Sequence, residues 1–348
     1  MTILGVETSC DECSVALVED GRRIIAQRIA SQIEFHAPFS GVVPEIASRK
    51  HTEWILDVYT RTLEDAGASA GDIEGVAVTT RPGLSGSLAV GLSFAKALAL
   101  GLGVPVVGVN HILAHLYAPH LEYEIDYPYL GLLVSGGHTL IALVRAVEDI
   151  EVLGTTVDDA CGEAFDKVAK FLELGYPGGV VIDRLARSGS AEAFAFPVST
   201  VKTGADRYDV SYSGLKTAVA NQMERFRTPG YEATNENIAA SFQKAAIETV
   251  LTQLERAVAD TGITTVVVGG GVAANSYLRE RLGGRADLRA VFPSMELCTD
   301  NGAMIAGIGY HLLRAGGGDD PALGVSARVS GYRRPRGGRP TRPAGAES

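Results

Sequence analysis

Four cysteines, Cys10, Cys13, Cys161 and Cys298, are few for 348 residues. A chain of this length can bury a core large enough to stand without covalent staples, which argues against a disulfide framework and predicts a reduced, cytoplasmic protein. Cys10 and Cys13 form C-x-x-C, yet no second pair follows and no helix pattern starts there, so neither a zinc site nor a redox pair is expected. Positive charge is also scarce: 31 Lys and Arg face 41 Asp and Glu, a net of −10. That balance argues against a broad electrostatic grip on nucleic acid and leaves a local basic patch or a partner to supply one. Aromatic residues are only 7% of the chain, whereas glycines number 41 against 14 prolines, as tight turns next to strands require.

The first residues, Met1-Thr-Ile-Leu-Gly-Val-Glu-Thr, lack a basic stretch and a cleavage signal, so they read as a first strand. An uninterrupted long apolar run is missing as well. Ser87 to Val109 comes nearest, but Lys96, four glycines and Pro105 break it, which predicts helix, turn and strand and no membrane insertion.

What is present is a repeated pattern. Leu4-Gly-Val-Glu-Thr-Ser-Cys-Asp-Glu-Cys-Ser-Val-Ala-Leu-Val and Leu130-Gly-Leu-Leu-Val-Ser-Gly-Gly-His-Thr-Leu-Ile-Ala-Leu-Val are each a short apolar strand, a small polar turn and a second apolar strand. Such twins predict an internal duplication with both turns facing one cleft. Helical spacing over Thr52 to Ala66, Ser87 to Leu100, Glu163 to Leu172, Ser213 to Phe226 and Ile238 to Ala259 alternates with strands. Thr264 to Arg279 runs strand, triple glycine, helix, an order that aims backbone amides at a ligand. The alternation predicts an α/β protein with a first lobe over residues 1–108 and a second over 109–298. A helix over 300–314 is expected to pack back on the first lobe. Residues 315–348, with Arg333, Arg334, Arg336, Arg339 and Arg342 among Pro and Gly, read as a disordered tail.

Asn110-His-Ile-Leu-Ala-His-Leu116 sets His111 and His115 four apart, on one helix face, where both imidazoles can reach a single metal ion. Ile112 stands where a zinc protease of the H-E-x-x-H type needs its general base, which argues against that chemistry. Asp300, in Cys298-Thr-Asp-Asn-Gly-Ala-Met, is the candidate third ligand, or else a helix cap. Two histidines and a carboxylate suit Fe(II) or Zn(II). Ser135-Gly-Gly-His-Thr139 is a turn whose amides could wrap an anion. Asp158, Asp159, Glu163 and Asp166 lie within nine residues, and Asp166 with Tyr176-Pro-Gly-Gly179 and Asp183 could bind hydroxyls or an amine. Asn275 could read a base or ribose edge. Ser213-Gly-Leu-Lys216 matches S-x-x-K, but its K-T-G partner, Lys202 to Gly204, comes first in the chain, so Ser213 is expected to cap a helix.

Together these stretches resemble the TsaD family of tRNA N6-adenosine threonylcarbamoyltransferases. The resemblance spans nearly all of residues 3–310, through G-V-E-T-S-C-D-E, G-V-V-P-E-I-A-S-R, H-x-x-x-H, V-S-G-G-H-T, D-D-A-x-G-E-A-F-D-K, Y-P-G-G, S-G-L-K-T, G-G-V-A-A-N and C-T-D-N-G-A-M-I-A. It implies an actin-like ATPase fold with duplicated lobes around a central cleft. It also implies transfer of a threonylcarbamoyl group from threonylcarbamoyl-AMP to N6 of adenosine 37 in tRNAs reading codons that begin with A. One divalent metal ion, Fe(II) first and Zn(II) second, would fall on His111, His115 and Asp300. The adenylate would fall on Val134, Ser135, Gly136, Gly137, His138, Asp166, Gly179, Asp183 and Asn275, with Asp11 or Glu12 as proton acceptor. The implied partners are tRNA, an inactive paralogue of the TsaB type and a P-loop ATPase of the TsaE type. Cys13 and Ser14 depart from the family's usual Thr and small residue in the first turn. Two rival readings are a nucleotide-binding scaffold without chemistry, which has no reason to keep three convergent ligands, and an actin-like small-molecule kinase, which would use a carboxylate base rather than a histidine pair.

Overall fold

A computed structural model describes residues 1–198, 206–226 and 234–328. Its strands form two five-stranded sheets. The first contains β1 (Thr2–Glu7), β2 (Glu12–Glu19), β3 (Arg23–Ser31), β4 (Gly75–Arg81) and β5 (Val106–Asn110) in the order β3-β2-β1-β4-β5. The second contains β6 (Tyr129–Val134), β7 (Thr139–Val144), β8 (Ile150–Thr155), β9 (Thr265–Gly269) and β10 (Arg289–Val291) in the order β10-β9-β6-β7-β8. Read from β3 and from β8, the two orders are the same. In each sheet the first three strands form an antiparallel meander and the last two join in parallel. The twin segments of the sequence are the β1–β2 and β6–β7 hairpins, so the fold is duplicated.

Both sheets are covered on both faces, which is why their central strands are apolar throughout rather than alternating. On β1, Ile3 points into a core shared with the helix Gly302–Gly316, while Leu4 and Val6 point into another shared with the helices Pro44–Ala66 and Ser85–Leu102. The long helix Asn235–Thr261 supplies Phe242, Ile247 and Val250 to the core of the second sheet. Ser85–Leu102 is long and apolar enough to cross a membrane; here it lies against β4 and the helix Pro44–Ala66.

The helix Gly302–Gly316 approaches β1 at backbone distance. A Cβ on Gly5 would stand 2.1 Å from the Gly302 carbonyl oxygen, and one on Gly302 would stand 2.7 Å from the Ala16 amide nitrogen. Asn301, fully buried, starts that helix by accepting the Met304 amide at 2.9 Å, and the Gly302 amide donates to Ser14 Oγ at 2.8 Å.

Two boundaries differ from the sequence reading. β5 continues through Val109 to Asn110 within the first sheet, so that sheet ends two residues beyond 108. Residues 317–328, expected within a disordered tail, form a strap along the first sheet. The Asp319 amide donates to the Val106 carbonyl, the Gly108 amide donates to Asp319 Oδ2, and Lys96 Nζ donates to the Pro321 and Leu323 carbonyls. Leu323 and Val325 add to the core under that sheet. Pairing with an edge strand and burial of two apolar side chains outweigh a composition that reads as disordered. Lys202 to Gly204 and Arg333 to Arg342 lie outside the described residues.

Candidate active site

All six parallel strands, β1, β4, β5, β6, β9 and β10, point their C-terminal ends at one cleft of about 740 Å³ between the two halves. Its wall takes Ser9 to Glu12 from the β1–β2 turn, Pro82 to Leu84 after β4, His111 after β5, Ser135 to His138 from the β6–β7 turn, Gly271 and Asn275 after β9, and Met295 after β10. Ligands bind at such strand ends because converging turns leave amides and side chains free of ladder bonds.

The helix His111–Tyr117 joins the halves, and its three faces have separate duties. Ile112 and Leu116 enter the core of the second sheet, while Ala114 and Tyr117 pack with the helix Gly302–Gly316 in the core of the first. His111 and His115 occupy the remaining face. Asn110 caps this helix, its side-chain oxygen accepting the Ile112 amide at 3.0 Å. Asp300 arrives from the other end of the chain, and its Oδ1 lies 3.0 Å from His115 Nε2 and 3.5 Å from His111 Nε2. The three ligand atoms lie within 4.8 Å of one another. Burial opposes ionisation of Asp300, but the facing His111 and His115 more than offset it and hold the carboxyl well below its usual range. Burial likewise favours a neutral His111, but Asp300 and Glu7 outweigh it and raise its pKa to about 9, so this pocket draws in positive charge. Two imidazole nitrogens and one carboxylate oxygen converging in an electronegative pocket fit a divalent cation such as Fe(II) or Zn(II).

Glu7 orients His111. It is fully buried at the end of β1, accepts the Ser9 amide and the Thr79 hydroxyl, and lies 3.1 Å from His111 Nδ1. That contact turns Nε2 toward Asp300. Glu7→Gln keeps the volume and removes the charge, so it is expected to weaken divalent metal binding about 10–100-fold. A competition titration against a chelator reads this; wild-type affinity would remove Glu7 from the role.

Across the cleft, a Cβ on Gly136, Gly137 or Gly179 would meet nothing within 4 Å, so at all three positions the backbone lies open to the cleft. The Ser135–His138 turn is braced by the Ser135 amide donating to the His138 carbonyl at 2.8 Å, and by the Gly162 amide donating to the Ser135 carbonyl at 3.1 Å. Burial lowers His138 to about 4, so this ring is neutral. Asp166 accepts the Gly178 amide at 2.7 Å, and burial raises its pKa. Asp11 and Glu12 sit in the opposite wall, where burial and the Asp11 charge push Glu12 up. The turn that carries them is tied down from behind: His51 Nε2 donates to the Cys10 carbonyl at 2.9 Å.

The chain matches the family model described as "TsaD: tRNA N6-adenosine threonylcarbamoyltransferase" over residues 23–307. It is 58% identical to the tRNA N6-adenosine threonylcarbamoyltransferase of Treponema denticola, covering 95% of this chain and 98% of that one. It is 49% identical to the protein of the same name from Borreliella burgdorferi, covering 96% of each.

The chain belongs to the TsaD family.

Transferase is therefore its class. Among solved structures, full-length HypF in its phosphate- and nucleotide-bound form aligns with a TM-score of 0.63 at 16% identity, over 91% of this chain and 47% of that one. Component A of the (R)-2-hydroxyglutaryl-CoA dehydratase of Acidaminococcus fermentans aligns with a TM-score of 0.54 at 14% identity, over 90% and 99%. At such identities they show the fold alone, which is the actin-like ATPase fold.

Within this TsaD chain, most residues singled out by sequence meet at the cleft, and several carry other duties there. Val134 does not line it: its side chain is buried in the core of the second sheet. Asp183 has both oxygens engaged, Oδ1 accepting the Ser276 amide and hydroxyl at 2.8 and 2.7 Å, and Oδ2 accepting Arg187 at 2.9 Å. Asn275 caps the helix Ser276–Gly283 by accepting the Leu278 amide, and donates to Gln243 Oε1 at 2.9 Å. Asp183 and Asn275 thus line the cleft while their side chains are held in place by these bonds. Asp158 accepts the Tyr212 amide at 2.8 Å, and Asp159 pairs with Lys167 and Lys216 at 2.7 Å each, so these acids brace the second half. Lys216 is thereby committed away from Ser213. Cys13 is fully buried and pushed up to about 12, an inert thiol. The residue that sequence reasoning missed is Glu7. Its signal is a single acid ending an otherwise apolar strand, a position where Glu is rarely buried without a partner.

Proposed function

We propose that this chain transfers the threonylcarbamoyl group from threonylcarbamoyl-AMP to N6 of adenosine 37 in tRNAs reading codons that begin with A, and releases AMP. The observation that carries the reading is the meeting of His111, His115 and Asp300, of which His111 and Asp300 line the cleft that also holds the glycine-rich Ser135–His138 turn. A divalent cation held by His111, His115 and Asp300, Fe(II) or Zn(II), would supply Lewis-acid polarisation of the carbamoyl carbonyl.

The rest is done by protein groups. The amides of the Ser135–His138 turn and the open backbone at Gly179 cradle the adenylate, where their fixed dipoles stabilise charge building on the departing phosphate. Asp166, held by the Gly178 amide, faces the nucleotide. The adenine N6 lone pair attacks the carbamoyl carbon, the bond from that carbon to the phosphate oxygen breaks, and the N6 proton leaves to Asp11 or Glu12. Burial and the neighbouring Asp11 charge raise the pKa of Glu12, which makes its carboxylate a stronger base. An exocyclic adenine amine is a poor nucleophile, so holding it against the acyl carbon supplies much of the rate. The same reading gives the chain an inactive TsaB-type paralogue and a TsaE-type P-loop ATPase as partners, and a cytoplasmic setting; the net charge of −10 supports partners that share the grip on tRNA.

Nucleoside analysis of bulk tRNA from cells depleted of this protein is expected to show loss of threonylcarbamoyladenosine with other modified adenosines unchanged. An unaltered level would overturn the proposal.

A further inference from the structure

The helix Gly178–Ala186 turns one face outward along the cleft. Val180, Arg184 and Arg187 recur on it at helical spacing, and all three line the cleft, as does Tyr176 just ahead of the helix. Val180 is 67% exposed, and both arginines are exposed. This face is the cationic part of an acidic wall. Asp11, Glu12, Asp166, Asp183 and Asp300 line the same cleft, and Arg184 and Arg187 are the only Lys or Arg there among the described residues. Arg187 donates to Asp183 Oδ2 at 2.9 Å, whereas Arg184 has no hydrogen bond or ion pair with any described residue. Among the described residues, two Phe or Tyr rings line the cleft. Phe165 is spent in the core of the second sheet, 1% exposed, while Tyr176 is only partly buried. Burial raises the Tyr176 phenol, and the Asp11, Asp166 and Glu12 carboxylates raise it further, so the ring stands close to acids of both halves.

An RNA that offers a base to this cleft must bring its phosphates past those acids, and each approach costs Coulomb energy that a cation at the rim removes. Unpaired loop bases, in turn, bind on aromatic rings because every base has a π-face. We infer that the outward face of this helix holds the loop nucleotides flanking the target adenosine, with Arg184 on a backbone phosphate and the Tyr176 ring against a base. Val180, between the two along the chain, adds an apolar surface with no charge to repel the strand. The phosphate of the adenylate is the other anion within the chemistry of Arg184. An exposed guanidinium suits a backbone that stays at the mouth, rather than a nucleotide held at the Ser135–His138 turn. The inference rests on the proposed function, since it takes tRNA as the substrate.

The test is steady-state transfer by the full complex, with threonylcarbamoyl-AMP and unmodified tRNA transcript each varied in turn across a salt series. Arg184 makes no bond with the described residues, so Arg184→Gln is expected to melt as the wild type does. Its KM for tRNA is expected to rise about threefold or more, that of Arg184→Glu about tenfold or more, and the Gln change should flatten the slope of log KM against log salt by about 0.7. Arg184→Lys keeps the charge and should keep the slope. Tyr176→Ala is expected to raise KM for tRNA about fivefold or more, and Tyr176→Phe, which keeps the ring, to restore it. In all of these variants KM for threonylcarbamoyl-AMP should hold its wild-type value. Unchanged KM for tRNA in either Arg184→Glu or Tyr176→Ala would overturn the inference. So would a rise confined to KM for threonylcarbamoyl-AMP, which would give the arginine or the ring to the adenylate. Both outcomes leave the proposed function standing, whereas a wild-type complex that transfers nothing sinks the proposed function itself.

Discussion

Asp300→Asn and His115→Ala are each expected to abolish stoichiometric metal binding and to slow transfer at least about 10²- to 10³-fold. The magnitude follows from a Lewis acid that contributes several kcal/mol at the reacting carbonyl, each 1.4 kcal/mol being about tenfold in rate. These two are cleaner tests than His111→Ala. Glu7 is fully buried against His111 Nδ1, and removing the imidazole would leave a buried carboxylate without its charged partner, at about 3–5 kcal/mol. A dead His111→Ala could therefore be an unfolded one. Asp300→Asn keeps shape and cap geometry, because the helix start depends on Asn301 and Gly302 rather than on the Asp300 carboxylate. Metal content by elemental analysis, transfer rate and melting temperature together decide. Wild-type transfer from a metal-free, folded Asp300→Asn protein would remove the metal from the proposal.

The fold was legible where its signals are local. Two β-turn-β segments announce hairpins because an antiparallel pair needs only a short turn, and the matching sheet orders follow from the same duplication. The strap at 317–328 was not legible. Its two apolar anchors, Leu323 and Val325, are surrounded by Gly, Asp and Pro, and its bonds run to β5 and Lys96, which are more than two hundred positions away.

At the site the same divide holds. His111 and His115 stand out because helical spacing is a property of neighbours. Asp183 and Asn275 do line the cleft, but their bonds to Ser276 and Gln243 come from other elements, and no periodicity reports those. Glu7 escaped for the complementary reason: its partner His111 lies 104 residues on.

The second large effect tests the joint that carries Asp300. Gly302→Val would drive its side chain into the backbone of β1 and β2, since even a Cβ there stands 2.7 Å from the Ala16 amide nitrogen and 2.9 Å from the Gly5 carbonyl oxygen. Backbone cannot swing aside as a long side chain can, so the cost should reach or exceed about 3 kcal/mol. At about 2–4 °C per kcal/mol, the melting temperature should fall by about 6–12 °C. Because Asp300 lies two residues earlier, the same displacement should release it from His115, and metal content should fall together with stability. Gly179→Ala supplies the contrast. Its Cβ meets nothing within 4 Å and it sits in a helix, so the fold should tolerate or even gain from the change, while the methyl stands in the cleft and should slow transfer. If Gly302→Val melts like the wild type and keeps its metal, the close packing of the helix Gly302–Gly316 on β1 does not hold Asp300 in place.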